Sequence, residues 1–525
     1  MKKALFLTLL LALVLSLFAA CGDESETTTT TTTAANITTP AQTVTTIPET
    51  TPKAPETTPS VSTALVTTTK VPETTEVPET EPNLLDLLEF RYEPEERGYY
   101  VVGFGTWEGE EITIPSEYDG KPVVGLGDLS FQYCFDLKKI TLPDSVKKIG
   151  EGCFWGCDLL ESVTFGKNFE SIGEAAFYDC FALYDIEIPE TVTNISMVAF
   201  NGCKALESIT VPEGITEIGM LTFAECENLT EIVLPDSIEA IGDHAFYGCV
   251  NLSEINIPTK LTHLGSQAFY GCNSISSISL PATVVEIGKH AFSDCANLSE
   301  FVIAKDNPMY TVENGALYNK NQTELYAVFS NLAEFSVPQT VTSIAEHAFS
   351  ERNTLTSVHI PANVTEIGLR AFSDCNNLKS ITVDENNPNF TSINGALYNK
   401  NATMLIAVPG SFETFTFPES VTEIGEYAFY YSHNLKNITF PSHVRKIGLC
   451  AFSGCTALTE IVIPETVSSL GEWVFSGCTN LKTVYSETRA KPASWNKDWA
   501  YGIEETAEIL FKEAWSYVDG VPTKK

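Results

Sequence analysis

The chain has 525 residues and carries 68 acidic against 31 basic side chains, so its formal net charge at pH 7 is −37 and its pI is about 4.5. A surface this acidic repels the phosphate backbone of DNA and RNA, which excludes nucleic acid as a natural ligand. Hydrophobic residues make up 43% of the sequence, which is enough to build a core, and after residue 20 no stretch approaches the ~20 apolar residues of a membrane-spanning helix.

Residues 1–20 are predicted to be a signal peptide. Lys2 and Lys3 precede an apolar run over residues 4–20, a pattern typical of secretory signals. The following FAAC tetrapeptide, residues 18–21, is similar to a bacterial lipobox, although such signals prefer leucine where the phenylalanine stands. The similarity implies that Cys21 is lipidated and anchors the chain at the extracellular face of the bacterial cell envelope. Simple secretion is the alternative.

Residues 21–82, which begin with the lipidated cysteine, are predicted to be a disordered linker. Seven consecutive threonines at residues 27–33 lead into Thr-Pro-Glu repeats such as IPETTPKAPETTPS. Almost no large apolar side chains are present, so no core can form, and the prolines keep the chain extended. We expect a stalk whose threonines are candidates for O-glycosylation. A passive spacer is the alternative.

Residues 83–130 are predicted to form an N-terminal cap. Residues 84–97 are an ambiguous lead-in that is compatible with a short helix. Residues 99–102 and 111–115 have the composition of strands with a Gly-rich turn between them, and residues 118–124 lead into the first coil. A stack of repeats needs its open end covered, and this segment directly precedes the repeats.

From residue 131 onward the chain repeats one 23-residue unit, whose type copy over residues 229–249 reads LTEIVLPDSIEAIGDHAFYGC. Its phenylalanine recurs at Phe131, Phe154, Phe177, Phe200, Phe223, Phe246, Phe269, Phe292, Phe349, Phe372, Phe429, Phe452 and Phe475. The spacing is constant except for two longer steps, from Phe292 to Phe349 and from Phe372 to Phe429, which are equal in length and each consist of one period plus an insertion. A period held through so many copies identifies a repeat array.

Each unit is predicted to supply a short strand, a turn and a second apolar segment. In the type copy the strand covers residues 229–234 and is ended by Pro235, which cannot donate a ladder hydrogen bond. Gly242 is predicted to occupy a tight or positive-φ position. Because so short a unit cannot close a core alone, the units must stack. We therefore predict a repeat solenoid, a β-rich α/β leucine-rich-repeat superhelix of about thirteen coils over residues 131–485.

The repeated run Ile-Gly-x-x-Ala-Phe-x-x-Cys-x-x-Leu-x-x-Ile-x-Ile-Pro resembles the BspA-like, or Treponema-type, leucine-rich repeats of bacterial surface proteins. The resemblance covers about residues 98–485. It implies an exported binding protein, since adhesion to host matrix or to bacterial surfaces is reported for some members. It implies no single ligand, because such scaffolds are reused for many functions.

The two long steps contain copies of one insertion, at about residues 304–337 and 384–417. Asn-Gly pairs at residues 314–315 and 394–395 predict tight hairpin turns, and a second hairpin is predicted across the Asn-Lys-Asn that follows each of them. We expect the hairpins to project from the solenoid in register, about two coils apart. They are either ligand-gripping loops or lateral packing elements, and we favour packing.

Residues 486–525 fall outside the repeat and are predicted to form a C-terminal cap. They contain Trp495, Trp499 and Trp515, which is half of the six tryptophans in the chain. We expect these side chains to cover the apolar face of the last coil, which must be buried. An exposed aromatic platform for sugar is the alternative.

Eleven of the fourteen cysteines follow the repeat phenylalanine by three residues. They are Cys134, Cys157, Cys180, Cys203, Cys226, Cys249, Cys272, Cys295, Cys375, Cys455 and Cys478. Cys375 has no partner on a neighbouring coil, because Arg352 and Ser432 occupy that position there. The position therefore works without pairing, and we predict a ladder of mostly reduced, buried thiols.

The sequence offers no catalytic arrangement. His244, His290 and His347 each precede an Ala-Phe pair, and we expect them to share a surface position on non-adjacent coils. No Ser/His/Asp set, zinc-protease motif or phosphate-binding loop is present. We expect no enzyme activity, no cofactor and no metal site.

The best candidate for a binding surface is the outward face of the repeat strands. Its positions are small, polar and rich in hydroxyl groups, with an acidic centre formed by Asp185, Glu187, Glu231, Glu254 and Glu300. Glu231 and Glu254 fall on adjacent coils and repel each other by ~1 kcal/mol in water, which a cation or a basic partner would relieve. A solvated sheet face is the alternative.

A second stripe of candidates follows the repeat phenylalanine directly. It carries Trp155, Tyr178, Tyr247, Tyr270 and Tyr430, of which Tyr178, Tyr247 and Tyr270 are the candidate ligand-binding residues. If these aromatic rings are exposed, they are better binding anchors than hydroxyl groups.

The sequence as a whole predicts a monomeric, cell-surface protein that binds an extracellular protein or glycan and contacts the membrane through its lipid anchor only. Two other functions stay open. One is a structural envelope protein that binds nothing, and the other is a module that captures polysaccharide.

Overall fold

The computed structural model describes residues 84–329 and 331–525. The predicted signal peptide (residues 1–20), the lipidation site Cys21 and the linker up to residue 82 lie outside the described residues and stay predictions. Within the described part, none of the helices has the length and apolar character needed to span a bilayer.

Each coil contributes two short strands, which stack on the equivalent strands of neighbouring coils in parallel register. In the type copy these are β14 (Glu231–Val233) and β15 (Ala240–Ile241), which pair with β16 (Glu254–Ile255) and β17 (His263–Leu264) of the next coil. We call the two stacks the first-strand ladder and the second-strand ladder. The arrangement confirms the predicted repeat solenoid.

The first-strand ladder consists of β3 (Glu111–Thr113), β6 (Lys139–Thr141), β8 (Ser162–Thr164), β10 (Asp185–Ile186), β12 (Ser208–Thr210), β14, β16, β18 (Ser277–Leu280), β20 (Glu300–Ile303), β24 (Glu334–Ser336), β26 (Ser357–Ile360), β28 (Ser380–Val383), β32 (Thr414–Thr416), β34 (Asn437–Thr439), β36 (Glu460–Ile463), β38 (Thr483–Ser486) and β39 (Glu508–Phe511). These are seventeen strands among the described residues, so thirteen coils is an undercount. Each insertion adds one strand (β24 and β32), and so does each end of the stack (β3 and β39).

The second-strand ladder consists of β5 (Lys121–Leu126), β7 (Lys148–Ile149), β9 (Ser171–Ile172), β11 (Asn194–Ile195), β13 (Glu217–Ile218), β15, β17, β19 (Glu286–Ile287), β23 (Glu324–Val328), β25 (Ser343–Ile344), β27 (Glu366–Ile367), β31 (Met404–Ala407), β33 (Glu423–Ile424), β35 (Lys446–Ile447) and β37 (Ser469–Leu470). Its hydrogen-bonded pairing is interrupted between β11 and β13, between β19 and β23 and between β27 and β31. The second and third interruptions coincide with the insertions.

The core is a column of stacked phenylalanine rings. From Phe131 to Phe292, neighbouring rings have centroids 5.1 to 5.8 Å apart and lie within 26° of parallel. The strands alternate exposed and buried residues, as in β14, where Ile232 is buried between two exposed neighbours. Every coil thus buries its apolar side chains against the coils on either side, since it has no core of its own.

The repeat cysteines bind backbone rather than each other. Ten of their thiols donate hydrogen bonds to the carbonyl oxygen of a repeat phenylalanine on the preceding coil, at 2.9 to 3.2 Å. Burial raises the pKa of Cys249 to about 12, so the thiol keeps its proton. All thirteen cysteines of the described residues are free, which confirms the predicted ladder of reduced thiols there.

Gly242 is required by close packing and not by its backbone angles. A Cβ atom on it would lie 2.8 Å from the backbone nitrogen of Met220 and 3.1 Å from the carbonyl oxygen of Ile218. Of the two predicted alternatives, a tight position or positive φ, the tight position is the one that the structure has. The left-handed conformation falls two residues before and two residues after the repeat phenylalanine, as at His244 (φ 57°) and Gly248 (φ 70°).

The insertions form the predicted hairpins. In the first, β21 (Tyr310–Glu313) and β22 (Ala316–Asn319) join through Asn314 and Gly315, both at positive φ, and β23 follows in antiparallel pairing. In the second, β29 (Phe390–Ile393), β30 (Ala396–Asn399) and β31 repeat this pattern.

The insertions pack against the solenoid instead of projecting from it. Strands β23 and β31 pair in parallel with β25 and β33, so each insertion ends inside the second-strand ladder. Tyr318 and Tyr398 in their middle strands are 0% and 1% exposed. The packing interpretation is therefore confirmed, and the expectation of projecting loops is wrong.

The two ends of the described chain carry different elements. At the N-terminal end, the short helix α1 (Leu84–Leu87) precedes β1 (Glu89–Glu93) and β2 (Gly98–Gly103). Strand β4 (Glu117–Tyr118) forms a hairpin with β5, which also pairs with β2 and β7. At the C-terminal end, β39 is followed by the hairpin of β40 (Trp515–Val518) and β41 (Val521–Lys524).

The three C-terminal tryptophans are buried. Trp495, Trp499 and Trp515 are 3%, 4% and 0% exposed, and the Trp499 ring meets the last repeat phenylalanine, Phe475, at 6.1 Å. None of the three is available as an exposed platform for sugar.

The phenylalanine column predicts a steep cost for truncation in its middle. Phe223 is fully buried between two stacked rings, so Phe223→Ala is expected to lower the free energy of unfolding by about 3–5 kcal/mol. The control is Phe181→Ala, because Phe181 is 40% exposed and its loss is expected to cost less than about 1 kcal/mol. Chemical denaturation followed by circular dichroism measures both, and equal losses would contradict the stacked core.

Candidate binding surfaces

The acidic residues predicted from the sequence lie together on the outer face of the first-strand ladder. Asp185, Glu187, Glu231, Glu254 and Glu300 are all exposed. Glu231 pairs in register with Glu254 of the next coil, so two carboxylates stand side by side on neighbouring strands. Adjacent strands are about 4.8 Å apart, which makes their repulsion direct.

This face lacks basic partners over most of its length. The first residues of its strands form a column along the ladder, which begins with an ion pair of 3.3 Å between Lys139 and Glu111. Beyond Lys139 the column contains no lysine or arginine up to Thr483. Among the ion pairs of the described residues, none involves the five predicted acidic residues. The acidic centre therefore presents negative charge that the chain itself does not neutralise.

The aromatic stripe is only partly accessible. Tyr178 is 6% exposed and meets the ring of Trp155 edge-on at 5.5 Å. It is therefore a packing residue, and it is not exposed as a binding anchor would have to be. Tyr247 and Tyr270 are half-buried and stack on each other at 5.1 Å.

Two clefts that the sequence did not predict lie beside the insertions. A normal coil places twelve residues, 242–253, between its second strand β15 and its first strand β16. The first insertion places five residues, 329–333, between β23 and β24, so this coil lacks the turn that carries the repeat phenylalanine. The turns of the coils on either side then face each other across a gap.

We call the gap beside the first insertion the first cleft. It has a volume of about 390 Å³ and lies between the turns that hold His290 and His347, with Tyr310, Glu324 and Phe329 of the insertion as further walls. The second cleft, beside the second insertion, has about 340 Å³ and lies between the turns that hold Arg370 and Tyr427.

The missing turn also explains why Arg352 replaces the repeat cysteine. Its guanidinium donates hydrogen bonds to the carbonyl oxygens of Cys295 at 3.2 Å and Leu298 at 3.3 Å, on the far side of the gap. A cysteine side chain is too short to reach them. The arginine is 5% exposed and therefore serves as a structural bridge between the coils.

The histidines are placed differently from the sequence prediction. His244 is 8% exposed, and His290 and His347 are half-buried, so the shared position is not an exposed surface position. His290 and His347 are in contact, with ring centroids 4.6 Å apart, because the coil between them has no turn. The two residues therefore lie on non-adjacent coils, as predicted, and are nevertheless in contact.

A carboxyl pair lies next to the first cleft. Asp294 and Glu351 occupy equivalent positions on the facing turns and share a hydrogen bond. Burial, followed by the negative charge of Asp294, raises the pKa of Glu351 to about 8. Burial also raises the pKa of Asp294. At neutral pH the pair therefore holds a proton between its two carboxyl groups.

The sequence contained one signal for the clefts. Each long step has a first strand, β24 or β32, without a phenylalanine turn before it, and the next coil lacks the repeat cysteine. Considered together, these two irregularities mark the position of an omitted turn.

Comparison with known proteins identifies the repeat. Residues 124–232, 216–327, 322–409 and 407–492 match the family described as BspA type leucine rich repeat region (6 copies). A leucine rich cell surface protein from Faecalibacterium prausnitzii has a similar structure, with 27% sequence identity, a TM-score of 0.50 and coverage of 79% of this chain and 96% of that protein. No curated protein matches the chain.

Two further solved structures have lower similarity. A leucine-rich repeat protein from Bacteroides ovatus is 21% identical, with a TM-score of 0.36 and coverage of 81% of this chain and 98% of its own. The pneumococcal vaccine antigen PcpA is 19% identical, with a TM-score of 0.36 and coverage of 79% and 94%.

The bridging role of Arg352 predicts that its loss is costly. Arg352→Met keeps the aliphatic packing but removes both guanidinium hydrogen bonds across the gap and leaves the buried carbonyl oxygen of Leu298 without its donor, so the free energy of unfolding is expected to fall by about 2 kcal/mol or more. Arg352→Cys restores the repeat residue and is expected to be no better. The exposed Lys379→Met is the control in the same denaturation measurement. Stabilisation by Arg352→Cys would contradict the bridge.

The carboxyl pair predicts a pH effect on stability. Because the folded-state pKa of Glu351 is raised from 4.5 to about 8, the folded protein binds more protons than the unfolded chain in this range, and stability falls as pH rises through it. Glu351→Gln cannot titrate, so its stability is expected to fall less over the same range. Thermal unfolding at a series of pH values tests this, with exposed Glu239→Gln as control. Parallel pH profiles for Glu351→Gln and the parent would contradict the assignment.

Proposed function

We propose a binding function for this chain, which belongs to the BspA-type leucine-rich repeat family. In our proposal it is a cell-surface protein that captures a basic segment of an extracellular protein on the acidic part of its first-strand ladder. The observation that carries the proposal is the run of exposed carboxylates from Asp185 to Glu300 without basic partners on the same face.

The size of the acidic face supports a macromolecular partner. Residues Asp185 to Glu300 cover six strands of the first-strand ladder, from β10 to β20, which corresponds to about 24 Å. Val233 and Val302 lie on the same face and are 42% and 46% exposed. A protein segment that combines lysine or arginine with apolar side chains is complementary to both features.

A location outside the cell is part of the proposal. The similar protein of F. prausnitzii is described as a cell surface protein, and the sequence begins with a segment typical of export signals. We extend this to a lipid anchor at Cys21, which metabolic labelling with a fatty acid would detect. Labelling that persists in Cys21→Ala would contradict the anchor.

The acidic face predicts a specific loss of binding. Binding to an array of purified extracellular-matrix proteins is expected to weaken at least tenfold when Glu231, Glu254 and Glu300 are changed together to glutamine, and to weaken with added salt. The matched control changes Glu190, Glu213 and Glu239, which are exposed but lie off this face, so it alters net charge by the same amount. Equal loss in both triple variants would indicate a nonspecific charge effect. Unchanged binding in the first would remove the acidic face as the site.

A further inference from the structure

The two clefts are copies of one framework with different contents. Most residues that line the first cleft have an equivalent, at a constant spacing along the chain, that lines the second. The equivalent pairs that differ in charge are His290 and Arg370, Glu324 and Met404, Glu366 and Lys446, Lys289 and Leu369, and Ser343 and Glu423. The second cleft therefore serves as an internal reference for the first.

The second cleft is supplied with cations by the chain itself. The guanidinium of Arg370 lies 4.0 Å from the ring centroid of Tyr427 and 5.3 Å from that of Tyr430. The ammonium of Lys446 lies 2.6 Å from a carboxylate oxygen of Glu423. Two acidic and two basic side chains line this cleft, so its formal charge is balanced.

The first cleft has the opposite balance. Four acidic side chains line it, against Lys289 and Arg352, which gives a formal charge of −2 (2 − 4). Arg352 is already bound to backbone carbonyl oxygens, so it is not available to a ligand. Glu366 stands where the second cleft has the cation Lys446, and Glu324 stands where it has Met404. One of the four carboxylates, that of Glu346, faces Nε2 of His290 at 3.4 Å, so the excess negative charge of the first cleft lies on the other three, Asp294, Glu324 and Glu366.

His347 adds an unsatisfied donor to the first cleft. Its Nδ1 atom is buried and has no hydrogen-bond partner. Its Nε2 atom faces Nη1 of Arg370 at 3.4 Å, and since arginine only donates, Nε2 must accept. The proton of the neutral ring is then on Nδ1. A buried N–H without an acceptor is costly, and an oxygen atom of a ligand would relieve that cost.

We propose that the first cleft binds a small ligand that carries a protonated amine and, a few atoms away, an oxygen acceptor, which is the pattern of an amino sugar. The amine is held by Glu366 and Glu324, and the oxygen accepts from Nδ1 of His347. Phe292 and Phe329 supply apolar walls for a sugar ring. The volume of about 390 Å³ lies in the range of about 300–1,000 Å³ typical of small-molecule sites. This site is separate from the acidic face and does not depend on the function proposed for it.

Ligand-observed NMR titrations of the full-length protein test whether binding needs both the amine and the oxygen acceptor of the ligand. Glucosamine, which has both groups, is expected to bind saturably in the millimolar range. Glucose, which lacks the amine, and n-butylamine, which lacks the oxygen, are each expected to bind at least tenfold more weakly. The absence of saturable glucosamine binding, or equal binding of glucose, would overturn the proposal.

Variants that import second-cleft residues locate the site. Glu366→Lys and Glu324→Met introduce the side chains that the second cleft carries at the equivalent positions, so the fold is expected to be retained. Each variant is expected to lower the affinity for glucosamine at least tenfold. His347→Phe should weaken glucosamine but not n-butylamine. The matched control is Glu217→Lys, the same charge change at the equivalent position of strand β13, well outside the cleft. An equal loss with Glu217→Lys, or no loss with Glu366→Lys, would refute the assignment.

Discussion

The whole structure depends on the fact that no coil can bury its own apolar side chains. Away from the insertions each phenylalanine ring stacks on the rings of the neighbouring coils, and ten of the repeat thiols donate to a carbonyl oxygen of the preceding coil. Both interactions require every turn to have the same length and the same pair of left-handed residues. The constant period of the sequence is therefore a packing constraint, and any departure from it must be repaired locally.

The insertions show how such a departure is repaired. They keep both strands of the coil, although the hydrogen-bonded pairing with the preceding coil is interrupted. They omit the turn, so one layer of the phenylalanine column and its thiol are missing. Side chains from the next coil then bridge the gap. Arg352 does this at the first insertion, and at the second the Asn434 side chain donates to the carbonyl oxygens of Asn376 at 3.3 Å and Gly410 at 2.9 Å. What the bridging side chains do not fill remains as a cleft.

Sequence reasoning succeeded where the period decides the structure. The stack, the free thiols and the hairpin turns at Asn314 and Asn394 follow from spacing and residue type. It failed where a contact depends on the turn that the insertion coil lacks. His290 and His347 are far apart in the sequence and touch only because a turn is absent between them. The positive φ angles were missed because residues such as His244 carry them, and their identity gives no sign of a left-handed backbone.

The two acidic surfaces are physically different, although both lack internal partners for part of their charge. The carboxylates of the first-strand ladder are exposed to water and salt, where each contact is weak, so selectivity there must come from many charges acting together over several coils. Half-buried Glu324 and exposed Glu366 line a cleft that also contains the buried Nδ1 atom of a histidine, where a single ion pair and a single hydrogen bond can act together on one small ligand. A chain with both therefore has the means to hold a large basic partner loosely and a small cation selectively. The duplicated second cleft, neutralised by its own Arg370 and Lys446, indicates that the charge of the first is not imposed by the fold.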